Sequence, residues 1–71
     1  MPKFKVGDQV EAIGLFIPSF MKQGTVTLVT PNEDDSLTEY EVTFGDHAVG
    51  GFDDTQLRLV KPAHGTPQVD L

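Results

Sequence analysis

The sequence predicts an all-β domain, a small five-stranded barrel with one short 3-10 turn before the last strand. Three observations carry this expectation. Tyr40, Val42 and Phe44 alternate with Glu39, Glu41 and Thr43, the period of two that sets one strand face in a core and the other in water. Gly24 to Thr30 is rich in β-branched residues, which fit a pleated, half-buried surface. Glycine, proline and turn-forming residues recur every few positions, and no long stretch repeats apolar residues at the helical period.

Taken in order, the first strand is expected over Gln9 to Ile13, with Val6, Val10 and Ile13 nearby as apolar candidates. The second covers Gly24-Thr25-Val26-Thr27-Leu28-Val29-Thr30, where Val26 and Leu28 alternate with threonines and so are expected on one face. Pro31 to Ser36 has little to bury and reads as a turn. Glu39 to Phe44 is the third strand, and Gly45-Asp46-His47 turns the chain back. Ala48 to Phe52 returns as a short fourth strand, weakened or bulged by Gly50 and Gly51. Asp53 to Gln56 suits a single tight helical turn capped by an acid. Leu57 to Val60 closes the barrel, and closure is expected to remove exposed strand edges. Residues 1–61 thus form the barrel, and 62–71, with their proline, glycine and polar residues, are expected to be a flexible tail.

The chain of 71 residues carries eleven acids against five bases, a formal charge of -6. Nucleic-acid affinity comes largely from Lys and Arg displacing phosphate counterions. Lys3, Lys5, Lys22, Arg58 and Lys61 make a small patch at most. No nucleic-acid partner and no membrane partner is expected, whereas a basic protein partner fits. The absence of cysteine rules out disulfides and thiolate metal sites. No long apolar run follows Met1 to Lys5, so the expectation is a soluble cytoplasmic chain.

Candidate chemistry is sparse. His47 is expected in a turn and His64 in the tail, too far apart to build a catalytic arrangement. Asp46-His47, Asp53-Asp54 and Glu33-Asp34-Asp35 lack the three or four ligands at fixed spacing that a metal needs. Gly50-Gly51 lacks the helix start and lysine of a phosphate loop. No catalytic residue, metal or cofactor is expected. The segment Gly14 to Met21 is the anomaly. Leu15, Phe16, Ile17, Phe20 and Met21 crowd a connection that ought to be polar. Either the loop plugs one end of the barrel, or it forms an apolar contact patch for a protein partner or a second copy, with Phe52 and the Gly50-Gly51 strand beside it.

Several pieces, in order, resemble the SH3-like barrel superfamily. Val6-Gly7-Asp8-Gln9-Val10 resembles its "VGD-x-V" opening and Gly24-Thr25-Val26 its "GTV" step. Tyr40 to Phe44 resembles the "Y-x-V-x-F" third strand, and Phe52 with Leu57-Arg58-Leu59-Val60 the ending. The resemblance spans Phe4 to Val60. It implies a binding module of Tudor-like or KOW-like type, or an accessory subunit of a larger enzyme complex. The plasmid-borne dihydrofolate reductase is similar in size, and the alternative is a small oligomeric enzyme whose site forms between subunits. Where that reductase has a Val-Gln-Ile-Tyr run, this chain has Val49-Gly50-Gly51-Phe52, which lacks the groups that hold cofactor and substrate. A methyl-lysine cage requires Phe16, Phe20 or Phe52 to converge with Tyr40. The leading expectation is a non-enzymatic interaction module that binds through loop 15–21.

Overall fold

A computed structural model describes residues 2–34 and 37–63. It contains strands β1 (Gln9–Ala12), β2 (Gly24–Thr30), β3 (Glu39–Phe44), β4 (His47–Phe52) and β5 (Leu57–Lys61). They form one antiparallel sheet in the order β4-β3-β2-β1-β5. Residues 64–71, where most of the expected tail falls, lie outside the described residues.

The regular member of the sheet is β3. Tyr40, Val42 and Phe44 are buried, while Glu39 and its alternate neighbours are not, as their alternation predicts. The strands on either side of β3 are each bulged, and both bulges fall opposite Glu41. On β2 the register steps from Val26↔Val42 to Leu28↔Glu41, leaving Thr27 as the extra residue. The Thr27 hydroxyl donates to the Glu41 carboxylate at 2.8 Å and pins it there. On β4 the register steps from Val49↔Val42 to Phe52↔Tyr40, so Gly50 and Gly51 together oppose one residue. Gly51 has φ +84°, a conformation that favours glycine.

Each bulge reverses the inward phase of the residues beyond it. Leu28 therefore points outward, contrary to the expectation that it shares a face with Val26, and Val29 instead packs against the core. On β4 the extra residue carries Phe52 to the inner face opposite Tyr40, where it is 8% exposed. The buried core comprises Phe4, Val10, Ala12, Val26, Tyr40, Val42, Phe44, Phe52 and Leu57. Phe4 and Phe52 meet the edges of Tyr40 and Phe44 respectively, with centroids 5.3 and 6.1 Å apart.

Gly24 is required by close approach rather than by backbone freedom. A Cβ there would lie 2.6 Å from Phe44 Cδ1, 2.7 Å from Val42 Cγ1 and 2.8 Å from the Thr43 carbonyl oxygen. The β3–β4 hairpin turns at Gly45-Asp46, with Gly45 at φ +66° in the first central position, where a II′ turn takes glycine.

Two further expectations require correction. The 3-10 turn lies over Ser19–Lys22, not before β5. Asp53 to Gln56 is instead a β-turn closed by Gln56 N to Asp53 O at 3.2 Å. Four residues caught between two strand ends have no room for a further helical hydrogen bond. The sheet also stops short of closure. Among the described residues β4 and β5 do not pair with each other, so both keep an open edge. Asp8, which is 5% exposed, ties the N-terminal segment to the residue that follows β5 and to β2. Its carboxylate accepts from Lys5 N at 3.0 Å and from Ala63 N at 2.8 Å. Its backbone carbonyl accepts from Val26 N at 2.9 Å, and Gly7 N donates to Val26 O at 2.8 Å.

Two substitutions test this arrangement. Gly24→Ala overpacks Phe44 and Val42 and is expected to lower unfolding free energy by about 1–3 kcal/mol. Asp8→Ala leaves two backbone N–H groups without their charged acceptor and is expected to cost about 1.5–3 kcal/mol. Chemical denaturation followed by far-UV circular dichroism reads both.

Candidate functional site

The candidate site is the connection from β1 to β2. It leaves β1 with Ile13 N donating to Gln56 O at 2.9 Å, which moors its start beside the turn that precedes β5. Gly14 follows at φ +131°. The chain then reaches Phe16, the one non-glycine residue with positive φ among those described, at +61°. A bulky side chain in this region strains the backbone by an amount of order 1–3 kcal/mol. Phe16 is 96% exposed and Leu15 beside it 85%.

Beyond Pro18 the loop changes character. Pro18 O accepts from Met21 N at 3.0 Å and closes the 3-10 turn. That turn lays Phe20 edge-on against Phe44, with ring centroids 5.9 Å apart, and packs Met21 against the core. Phe20 stays 47% exposed and also meets the His47 ring at 5.4 Å. The loop is therefore divided. Leu15 and Phe16 project freely, Ile17 and Phe20 are half-covered, and Met21 seals the core beneath them. Phe52, expected in the same patch, lies in the core and is not part of this surface.

Charge flanks the patch. Asp46 lies beyond Phe20, its carboxylate 3.5 Å from His47 Nε2. Asp53 and Asp54 lie in the turn to which Ile13 is moored. Asp53 Oδ1 accepts from the Thr55 hydroxyl at 2.6 Å and from Thr55 N at 2.9 Å. These bonds, the hydroxyl foremost, hold the Asp53 carboxyl below its usual value.

The methyl-lysine cage that the sequence allows would need an accessible Tyr40, which is buried. The Tyr40 hydroxyl is taken up by Lys3 N and Phe4 N, at 2.9 and 3.3 Å. Phe16 projects into water at the far side of the loop, so no aromatic cage forms around Tyr40. No group of three or more His, Asp or Glu side chains among the described residues is placed to hold a metal ion. A concavity of about 430 Å³ lies beside the N-terminal segment, lined by Phe4, Val6, Val29, Lys3, Lys5 and Asp8. The Asp8 carboxylate is already spent on backbone amides, so this groove offers apolar walls and two cations. Among the described residues no helix is long and apolar enough to cross a membrane. Comparison with protein-family models, with curated proteins and with solved structures gives no match.

The loop is marked in the sequence by its apolar composition, and its division only by Pro18, which lies in the extended region just before the 3-10 turn that carries Phe20 and Met21.

The acid turn supplies a test by titration. Thr55→Val removes the principal donor to Asp53, so the Asp53 carboxyl is expected to titrate closer to its usual value in an NMR pH series. The sign follows from a folded-state value held low. The associated stabilisation is present above the unfolded-state value and is lost as pH falls through the folded one, so Thr55→Val diminishes it.

Proposed function

We propose that this domain is a non-enzymatic interaction module that docks onto a protein partner through the β1–β2 loop. The single observation that carries the reading is Phe16, an aromatic ring 96% exposed on a strained backbone at φ +61°. A strained conformation that serves no packing contact in the isolated domain is accounted for by a contact outside it. Leu15 and Phe16 are the anchors, because large apolar side chains supply most of the energy at interface centres. The half-covered Ile17 and Phe20 extend the patch, and Met21 and Phe52 support it from the core. Pro18 and the 3-10 turn stiffen the loop and reduce the entropy lost on binding. The flanking Asp46, Asp53 and Asp54 favour a partner whose apolar recess has a basic rim, and charge of this kind sets orientation and partner choice. The resemblance to SH3-like barrels over Phe4 to Val60 supports an interaction role without naming the partner.

Phe16→Gly and Phe20→Ser separate contact from packing. Phe16→Gly relieves the strain and buries nothing less, so it is expected to keep or raise the melting temperature while abolishing association with the partner. Phe20→Ser strips the cover from Phe44 and is expected to melt several degrees lower. The comparison is made with the immobilised wild-type and Phe16→Gly domains in native extract, followed by thermal melts. Identical retained proteins on both, or an unfolded Phe16→Gly domain, would show that the loop is structural.

A further inference from the structure

Two of the chain's five bases line one concavity, in a chain of formal charge -6. Lys3 and Lys5 are exposed, and among the described residues neither ammonium lies within ion-pair distance of a carboxylate. Lys3 Nζ instead lies 5.5 Å from the centroid of the Phe4 ring. The one acid in the lining is Asp8, whose two oxygens each accept a backbone amide. Two ammoniums against one carboxylate leave the lining with one positive charge. Its other residues are apolar, and Val6 among them is 57% exposed. Val29 belongs to the lining through the bulge at Thr27, which sends Leu28 outward and packs Val29 against the core. The concavity is held open by main-chain bonds. Lys3 N and Phe4 N donate to the Tyr40 hydroxyl, Lys5 N to the Asp8 carboxylate and Gly7 N to Val26 O. The segment that carries both lysines is therefore already ordered, which lowers the entropy lost on binding.

The geometry points to a ligand site here for an apolar carboxylate, a small monoanion with a hydrocarbon tail. The volume of about 430 Å³ falls among pockets that hold small molecules, about 300–1,000 Å³, which are mostly apolar with a few placed polar groups. The charge selects the head of the ligand. A monoanion matches the one positive charge of the lining, whereas a dianion such as a phosphate monoester leaves a negative charge uncompensated beside Asp8. Lysine offers a compact point charge and not the planar fork of arginine, so the site reads the charge of the head and makes no bidentate demand on its shape. The apolar lining selects the tail. Phe4, Val6 and Val29 gain from a hydrocarbon that displaces water, a gain that a bare anion cannot supply. The tail in turn excludes water from beside the ammoniums, where a lower dielectric strengthens their hold on the head. No residue of loop 15–21 lines this concavity, so the site is separate from the Phe16 surface.

An NMR amide-shift titration with sodium decanoate, kept below its micelle-forming concentration, tests the assignment. Decanol, which has the tail without the charge, and acetate, which has the charge without the tail, are the controls. Saturable shifts are expected at Phe4, Val6 and Val29 with decanoate, and both controls are expected to bind about tenfold more weakly or worse. Lys3→Gln combined with Lys5→Gln is expected to weaken decanoate by about tenfold or more and to leave decanol unchanged. Phe16→Gly leaves decanoate binding as it was, which keeps this test independent of the proposed partner surface. If the double lysine variant fails to fold, salt decides on the unmodified chain. An ionic strength of about 1 M shortens the screening length to about 3 Å and is expected to weaken decanoate but not decanol. Shifts centred on Leu15 and Phe16, equal affinity for decanoate and decanol, decanoate binding indifferent to the lysine substitutions or to salt, or no saturable shift would each overturn the assignment. So would co-sedimentation with phosphatidylglycerol vesicles by a chain that leaves free decanoate unbound, since the concavity would then be a membrane contact.

Discussion

The Asp8 carboxylate is where the two ends of this chain are tied to its sheet. A buried ionised group is costly unless its oxygens are fully engaged, and here each oxygen accepts one backbone amide, from Lys5 and from Ala63. Those amides lie on opposite sides of the structure in sequence. One directly follows Phe4, which packs on Tyr40, and the other follows β5. The backbone of Asp8 meanwhile joins β2 through Val26. The turn that aims the carboxylate needs Gly7 at φ +97°, and the space where a Cβ would stand is closed by Ala63 at 3.0 Å. In a sheet that does not close through hydrogen bonds, this node fixes the N-terminal segment and the residue after β5 to each other and to β2.

From that fixed end, the interior is organised around β3. Its neighbours both slip by one residue opposite Glu41, so a regular strand runs between two bulged ones. This explains why the sequence is uneven as a guide. Tyr40, Val42 and Phe44 were readable as a core face because nothing interrupts their alternation. Leu28 leaves the face its alternation suggests because the phase change is made by Thr27, a threonine like any other in Gly24 to Thr30. What marks it is a hydroxyl bonded to the Glu41 side chain, a tertiary relation with no local signature. The paired glycines announced the other bulge, but not that it would deliver Phe52 to the core. Gly24 was visible only as one residue of a familiar step, and its physical role depends on Phe44 and Val42 arriving over it from another strand.

The loop before β2 was legible in a similar measure. An apolar connection in an acidic chain is conspicuous, and the two explanations for it, barrel plug and contact surface, are both present in the structure, assigned to different residues. Phe20 and Met21 seal the inner face and Leu15 and Phe16 do not touch it. The division depends on two backbone events, the positive φ at Phe16 and the 3-10 turn after Pro18. Neither is dictated by residue type alone, since phenylalanine is a poor choice for the left-handed region.

Size connects these features. A chain of 71 residues buries a smaller share of its surface than a larger domain does, and nine core side chains fill the space between sheet and N-terminal segment. Among the apolar residues left outside, Leu15 and Phe16 lie where the chain is strained and Leu59 where the sheet ends, with acids flanking the loop. A surface of that kind resists indiscriminate association through its charge and leaves only contacts that match it in both shape and sign.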